Sequence, residues 1–325
     1  MLTRYLDPKN DLAFHKIFGS EKHKRIPIDF INAVFHLTDE NTIVDLTFLN
    51  PKLPPEIAAR KESIVDVLVK DQSGAKYIIE MQVAKVEGFE KRAQYYAAKA
   101  YCAHFGRGQK YHDLKKVIFL AITDYVVFPE KTDYKSDHII LDNKTYEHDL
   151  KDFSFTFVEL PKFNKTLKKL TSIEDQWYYF LKHADESPNI ADVLSHHPEI
   201  KEAYDLLDRF HWNEDELHWY DKNIMDIADA KGIQDAAKNE GKAEGKAEGR
   251  AEGKAEGHAV GKTEGDKSAR FEIAKAMIKD GINIDRVIAY TNLSSEEIDM
   301  LQSPVFPMKL QETPYPFDLI DEEVW

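Results

Sequence analysis

Apolar side chains recur at helical spacing twice near the start of the chain. Leu12, Phe14, Ile17 and Phe18 form one amphipathic run closed by Gly19. Ile28, Ile31, Val34 and Phe35 form a second over residues 27–36, with Pro27 in its first turn. The period then changes. Residues 42–49 read as a strand that stops at Asn50-Pro51, and Pro54-Pro55 marks a loop. Residues 63–70 and 76–83 read as two strands joined by a hairpin loop that contains Gly74. A helix rich in Ala and Tyr follows from Gly88 to about Phe105 and is broken by Gly106-Arg107-Gly108. Residues 116–124 form a strand that is apolar on both faces and therefore central. Residues 138–141 and 153–160 complete the set. The pattern predicts an α/β domain over residues 1–165.

Beyond it the pattern turns helical. Residues 166–230 carry Trp177, Tyr178, Phe180, Leu181, Leu194, Tyr204, Leu207, Phe210, Trp212 and Trp219, which predicts an acidic helical appendage packed against the domain. His196-His197 and the His211/His218 pair suit surface histidines better than a chelate, given usual ligand spacings. Residues 231–268 hold a four-residue repeat, with glycine at 241, 245, 249, 253, 257, 261 and 265, mostly as Gly-Lys-Ala-Glu. On one helix its charge columns place like charges at i,i+4, and glycine weakens the helix further. Two readings stand: a semi-flexible spacer, or a helix that pairs with a second copy through its glycine column. Residues 269–303 predict three short helices resembling a helix-turn-helix unit, the third opened by the capping box Ser294 to Glu297. That third helix is acidic and would meet phosphate badly, which favours packing or homo-oligomerisation through 231–303 over DNA reading. Residues 304–325 read as a loose tail.

Charge sharpens this division. The chain of 325 residues has a formal net charge of −14, which as a single figure argues against a nucleic-acid partner. Partitioned, it is +3 over residues 1–170, −11 over 171–230, +1 over 231–270 and −7 over 271–325. The acidity belongs to the segments after the α/β domain. A single cysteine, Cys102, excludes a disulfide framework and a four-cysteine zinc site. The longest apolar run, Val117 to Ile122, is far too short to span a bilayer, and the start lacks an apolar signal core. No membrane partner and a cytoplasmic location are the expectation.

Candidate chemistry lies in the hairpin. Asp66 is the sole acid among Ile64, Val65, Val67 and Leu68, and Glu80 sits likewise after Tyr77-Ile78-Ile79. A bare buried carboxylate is costly; it takes up a proton or finds a cation. If residues 71–75 close the hairpin, Lys70 pairs with Lys76 and Asp66 falls opposite Glu80, on the face that also carries Gln82. A divalent metal would relieve the repulsion, and oxygen-only ligands favour Mg²⁺ or Mn²⁺. The alternative is that one acid is protonated or paired with Lys61 or Lys85. A register slip of one residue would separate the two carboxylates.

Asp66 with Glu80-x-Gln82, in this order of helix, strands and helix, resembles the D…(D/E)-x-K signature of the PD-(D/E)XK nuclease superfamily. The stretches Leu6-Asp7-Pro8-Lys9-Asn10-Asp11-Leu12-Ala13-Phe14-His15-Lys16, Phe48-Leu49-Asn50-Pro51, Ile79-Glu80-Met81-Gln82-Val83 and Gly88-Phe89-Glu90-Lys91-Arg92-Ala93-Gln94-Tyr95-Tyr96 resemble its Rpn family, recombination-promoting nucleases also described as transposases. The Gly-Lys-Ala-Glu repeats and the stretches Ile282-Asn283-Ile284-Asp285-Arg286-Val287 and Leu293-Ser294-Ser295-Glu296-Glu297-Ile298 are similar to that family's C-terminal ends. The resemblance implies a restriction-endonuclease-like α/β core, a mixed sheet flanked by helices, with an α-helical C-terminal extension. It implies Mg²⁺- or Mn²⁺-dependent endonucleolytic cleavage of DNA in recombination or transposition. Asp66 and Glu80 would ligate the metal. Gln82 stands where many members have Lys and orients water without supplying charge. Asp11 either completes the site or is a helix-start acid favoured by the dipole. Arg92, Tyr96 and Lys99 form one helix face, which either meets the DNA or is simply solvated with Tyr96 partly packed, while Arg107 and Lys110 near the helix end are placed to hold the phosphate backbone. The alternative function is a catalytically weak DNA-binding or oligomerising module on the nuclease fold.

Overall fold

The computed structural model describes residues 3–53, 63–103, 110–186 and 188–302. Pro54-Pro55, Arg107 with its flanking glycines and the tail 304–325 lie outside them. Helices α1 (Asp11–Phe18) and α2 (Arg25–Val34) open the chain. Asn10 caps α1 by accepting from the Leu12 N–H, and Gly19 ends it, as the apolar period predicts. Strands β1 (Leu46–Phe48), β2 (Lys52–Leu53), β3 (Ser63–Ile64), β4 (Val67–Asp71) and β5 (Lys76–Gln82) follow, then α3 (Phe89–Cys102), β6 (Val117–Thr123), β7 (Lys135–Ile139) and β8 (Phe153–Glu159). The strand expected over 42–49 shrinks to β1, and the one expected at 138–141 lies earlier, as β7.

Six strands form one mixed sheet in the order β1-β4-β5-β6-β8-β7. β5, β6 and β8 run parallel, with α3 as the crossover between the first two. β6 is central and buried throughout, as its two apolar faces require. The register aligns Gln82, Thr123 and Glu159 at the carboxyl ends of the three parallel strands. The hairpin loop is fixed by Asp71, whose Oδ1 accepts the Ser73 and Ala75 N–H groups at 2.8 and 2.9 Å, and Gly74 takes φ +90°.

Alternation along β5 divides the core. Tyr77, Ile79 and Met81 face a large cluster with α1 and α2, while Ile78 faces α3 through Ala93, Ala97 and Ala100. The helices α4 (Ile173–His183), α5 (Pro188–Leu194) and α6 (Pro198–Leu207) belong to the first cluster. Trp177 is fully buried with its ring centroid 5.9 Å from that of Phe18 and 5.6 Å from that of Phe30. Trp177, Tyr178, Phe180, Tyr204, Trp212 and Tyr220 are thus part of the same core as α1 and α2, whereas Phe210 and Trp219, expected to pack with them, are exposed.

The chain divides into two compact units, 1–236 and 237–325. Helix α7 (Glu214–Lys279) contributes to both and carries the repeat without interruption. A methyl group built on any repeat glycine meets no atom within 4 Å among the described residues. In the second unit, the end of α7 packs with α8 (Ile284–Thr291) and α9 (Ser295–Gln302) around Ala274, Val287, Leu293 and Ile298. The capping box is present: Glu297 N–H donates to Ser294 Oγ at 3.2 Å, and Ser294 N–H to Glu297 Oε2 at 3.0 Å. Among the described residues no helix is long and apolar enough to cross a membrane.

Candidate active site

The hairpin register is Lys70 opposite Lys76 and Val67 opposite Ile79. Continued by one step it would set Asp66 against Glu80, but the ladder stops at Val67. Val65 and Leu68, three residues apart, both reach the cluster under α3, whereas Val67 faces the other way. Strict alternation therefore fails at Asp66, much as at a β-bulge. The break turns Asp66 onto the backbone of β5. Its Oδ2 accepts the Met81 N–H at 2.8 Å, and its own N–H donates to Glu80 Oε1 at 3.2 Å. The two acids are adjacent as the sequence predicts, through a kink rather than a ladder pair.

Gln82 and Arg92 complete the cluster. Gln82 Nε2 donates to Glu80 Oε2 at 3.1 Å, and Arg92 Nη2 donates to Gln82 Oε1 at 2.5 Å. Arg92 lies on α3 beside the buried stripe of Phe89, Ala93 and Ala97. Gly88 starts that helix at φ +72°, a left-handed conformation that glycine adopts without strain. The Arg92 guanidinium carbon lies 5.0 Å from the Phe89 ring centroid and 5.8 Å from that of Tyr96. Its Nε–H is buried and has no hydrogen-bond partner among the described residues.

Both carboxyls are perturbed. Burial pushes Asp66 up to about 6; the Asp11 charge adds to the rise, while the Met81 N–H and Arg92 oppose it. Glu80 is only 2% exposed and is pushed well above the usual carboxylate range, first by burial and then by the Asp66 charge. Arg92 is the cation that favours ionisation of both. One guanidinium facing two buried carboxylates leaves a deficit of positive charge. An all-oxygen donor set with that deficit suits a hard divalent cation. Oδ1 of Asp66 takes part in no hydrogen bond among the described residues, so a lone-pair direction remains open.

Asp11 comes near from the opposite face of the sheet, as the first residue of α1, and its Oδ2 accepts Asn223 Nδ2 at 3.3 Å. Asn223 in turn accepts from Asn10 Nδ2 at 2.8 Å. This asparagine pair gave no sequence signal, since its members are about two hundred residues apart. Tyr96 joins the cluster, its phenol raised by burial and facing Arg92, Glu80 and Asp66. Lys99 does not join it. Expected on the Arg92–Tyr96 face, it is buried with Nζ 5.0 Å from the Tyr95 ring centroid. Lys110 is exposed, and Arg107 is outside the described residues.

A separate group of ligand-type side chains lies between α2 and α6. His197 Nε2 is 2.9 Å from Asp29 Oδ2 and 3.4 Å from Glu199 Oε2. Asp29 Oδ2 also accepts the Trp177 indole N–H at 2.7 Å, so these bonds tie α2, α4 and α6 together. Residues 8–237 match the sequence model described as PD-(D/E)XK nuclease family transposase. No curated protein and no solved structure matches the chain.

Proposed function

Because the chain belongs to the PD-(D/E)XK nuclease family transposases, we propose that it is a divalent-metal-dependent DNA endonuclease acting in recombination or transposition. The observation that carries this reading is the juxtaposition of the two acids beside a single guanidinium, with the Asp66 N–H on Glu80 Oε1 and the Asp66 carboxylate on the Met81 N–H. Asp66 and Glu80 would hold Mg²⁺ or Mn²⁺ through their carboxylate oxygens. The cation supplies, when bound, Lewis acidity toward the phosphodiester and toward water.

The remaining groups act directly. Gln82 Nε2 fixes the Glu80 carboxylate, and Gln82 Oε1 fixes Arg92. Gln82 carries no charge, so Arg92 supplies the positive charge beside the acids. Its guanidinium charge would offset the negative charge that builds on the phosphate in the transition state. Asp11 adds negative charge at the edge of the site and, with Asn223, borders the approach between α1 and α7.

The test is cleavage of plasmid DNA with Mg²⁺ or Mn²⁺ by wild type, Asp66→Asn and Glu80→Gln. Nicked and linear products from the wild type alone are expected. Equal cleavage by all three would remove these residues from the chemistry, and no cleavage by any would favour the DNA-binding module instead.

A further inference from the structure

Helices α1 and α7 border an open groove of about 420 Å³, lined by Asp11, Leu12 and His15 on one side and Trp219, Lys222, Asn223 and Asp226 on the other. Such a volume suits a small ligand. Trp219 is 60% exposed, unusual for the largest apolar side chain, and Lys222 Nζ lies 5.0 Å from its ring centroid. We propose that this groove is a nucleobase subsite, in which one base of a DNA strand stacks on Trp219 while Lys222 and His15 meet the flanking phosphates. The proposal rests on the nuclease reading and extends it to how the strand is held.

Three observations converge. An aromatic surface beside a lysine is the arrangement that binds single strands, since every base has a stacking face. Asp11, on the wall of the groove, is also the acid of α1 whose charge acts on Asp66. The lining also selects which part of a nucleotide enters. Asp11 and Asp226 repel phosphate but accept hydrogen bonds from exocyclic amines, and Asn223 is held in place by Asn10 at 2.8 Å. Cytosine, adenine and guanine carry such an amine; thymine does not. The subsite should therefore favour amino-bearing bases over thymine.

The experiment titrates the full-length protein in EDTA, where no cleavage occurs, with short oligo-dC and oligo-dT, reading tryptophan emission. Oligo-dC should quench the wild type and bind several-fold more tightly than oligo-dT. Trp219→Phe should lose the quench while keeping most of the affinity, and Trp219→Ala should weaken binding by about tenfold. Unchanged affinity in Trp219→Ala overturns the proposal. So does a Trp219→Ala protein whose mass by light scattering falls to the monomer while oligonucleotide affinity is unchanged, because the indole then serves a second copy. A quench that persists in a wild type unable to cleave with Mg²⁺ or Mn²⁺ keeps the subsite and rejects the nuclease reading. Cleavage by a wild type whose Trp219 emission is untouched rejects the subsite alone.

Discussion

Replacing Asp66 by Asn separates the cost of the acidic pair from its purpose. Asparagine keeps the shape and the oxygen that accepts the Met81 N–H, and removes the charge. Burial raises the Asp66 carboxyl from 3.8 to about 6. Because the folded value lies above the unfolded one, the favourable contribution is full below the unfolded value. It is lost as pH rises through about 6. The shift of about two units corresponds to ~3 kcal/mol, an upper figure for the cost of ionising this side chain in the folded, metal-free protein. In EDTA at pH 8, Asp66→Asn should therefore be more stable than wild type by up to ~3 kcal/mol, and the two should be nearly equal near pH 4. Urea unfolding followed by the emission of buried Trp177 measures this. Adding Mn²⁺ at about a hundred times its dissociation constant should stabilise the wild type by ~2.7 kcal/mol and the variant hardly at all. The wild-type gain should shrink as pH falls through about 6, where protons compete for Asp66. A variant less stable than wild type by the same amount at both pH values, or one that keeps the Mn²⁺ effect, would refute the reasoning.

The other expectations concern charge, capping and assembly. Arg92→Gln should lower plasmid cleavage by about a hundredfold or more, and adding Gln82→Lys to it should recover part of the loss, while Gln82→Lys alone should bring no gain because it sets two cations side by side. Nicking rates across the four proteins measure that coupling. Ser294→Ala removes the cap of α9 and should destabilise the second unit by ~1 kcal/mol, seen as faster amide exchange at residues 296–298. If the glycine repeat pairs with a second copy, deleting residues 231–303 should give a monomer by light scattering that still cleaves DNA; the same number of copies per particle as in the full-length protein would sink the pairing.

Much of this was legible in the residues, and the gaps have physical causes. The hairpin register could be read because its loop ends at Lys70 and Lys76, which the structure pairs. The kink at Asp66 could not, since Val65 and Val67 are both apolar and neither marks a face. Spacing placed Lys99 with Arg92 and Tyr96, but a lysine stem packs against apolar surface as readily as it reaches solvent, and here it is buried beside Tyr95. The aromatic run after residue 170 announced helices; that Trp177 meets Phe18 and Phe30 is a contact across more than a hundred residues, which no local pattern encodes. Helix α7 runs through its glycines against both propensity and charge spacing. Among the described residues the repeat is exposed along its length, so no packing within the chain offsets that cost.

The arrangement of acids and cation follows from how β5 divides its side chains. Tyr77, Ile79 and Met81 join the larger cluster, and on the face that α3 covers the strand ends in Glu80 and Gln82. Three alanines of α3 lie fully buried against that face, which lets the helix approach closely and brings Arg92 within reach of Gln82. The same closeness strips water from Glu80, so the packing that positions the guanidinium also raises the carboxyl it faces. Arg92 cannot neutralise both acids, and Gln82 directs it to one side of them. A lysine at position 82 would relieve the charge deficit but give up the amide that holds both Glu80 and Arg92. On the proposed reading, the uncompensated charge is what draws the divalent cation, and the neutral amide is what keeps the site from satisfying itself.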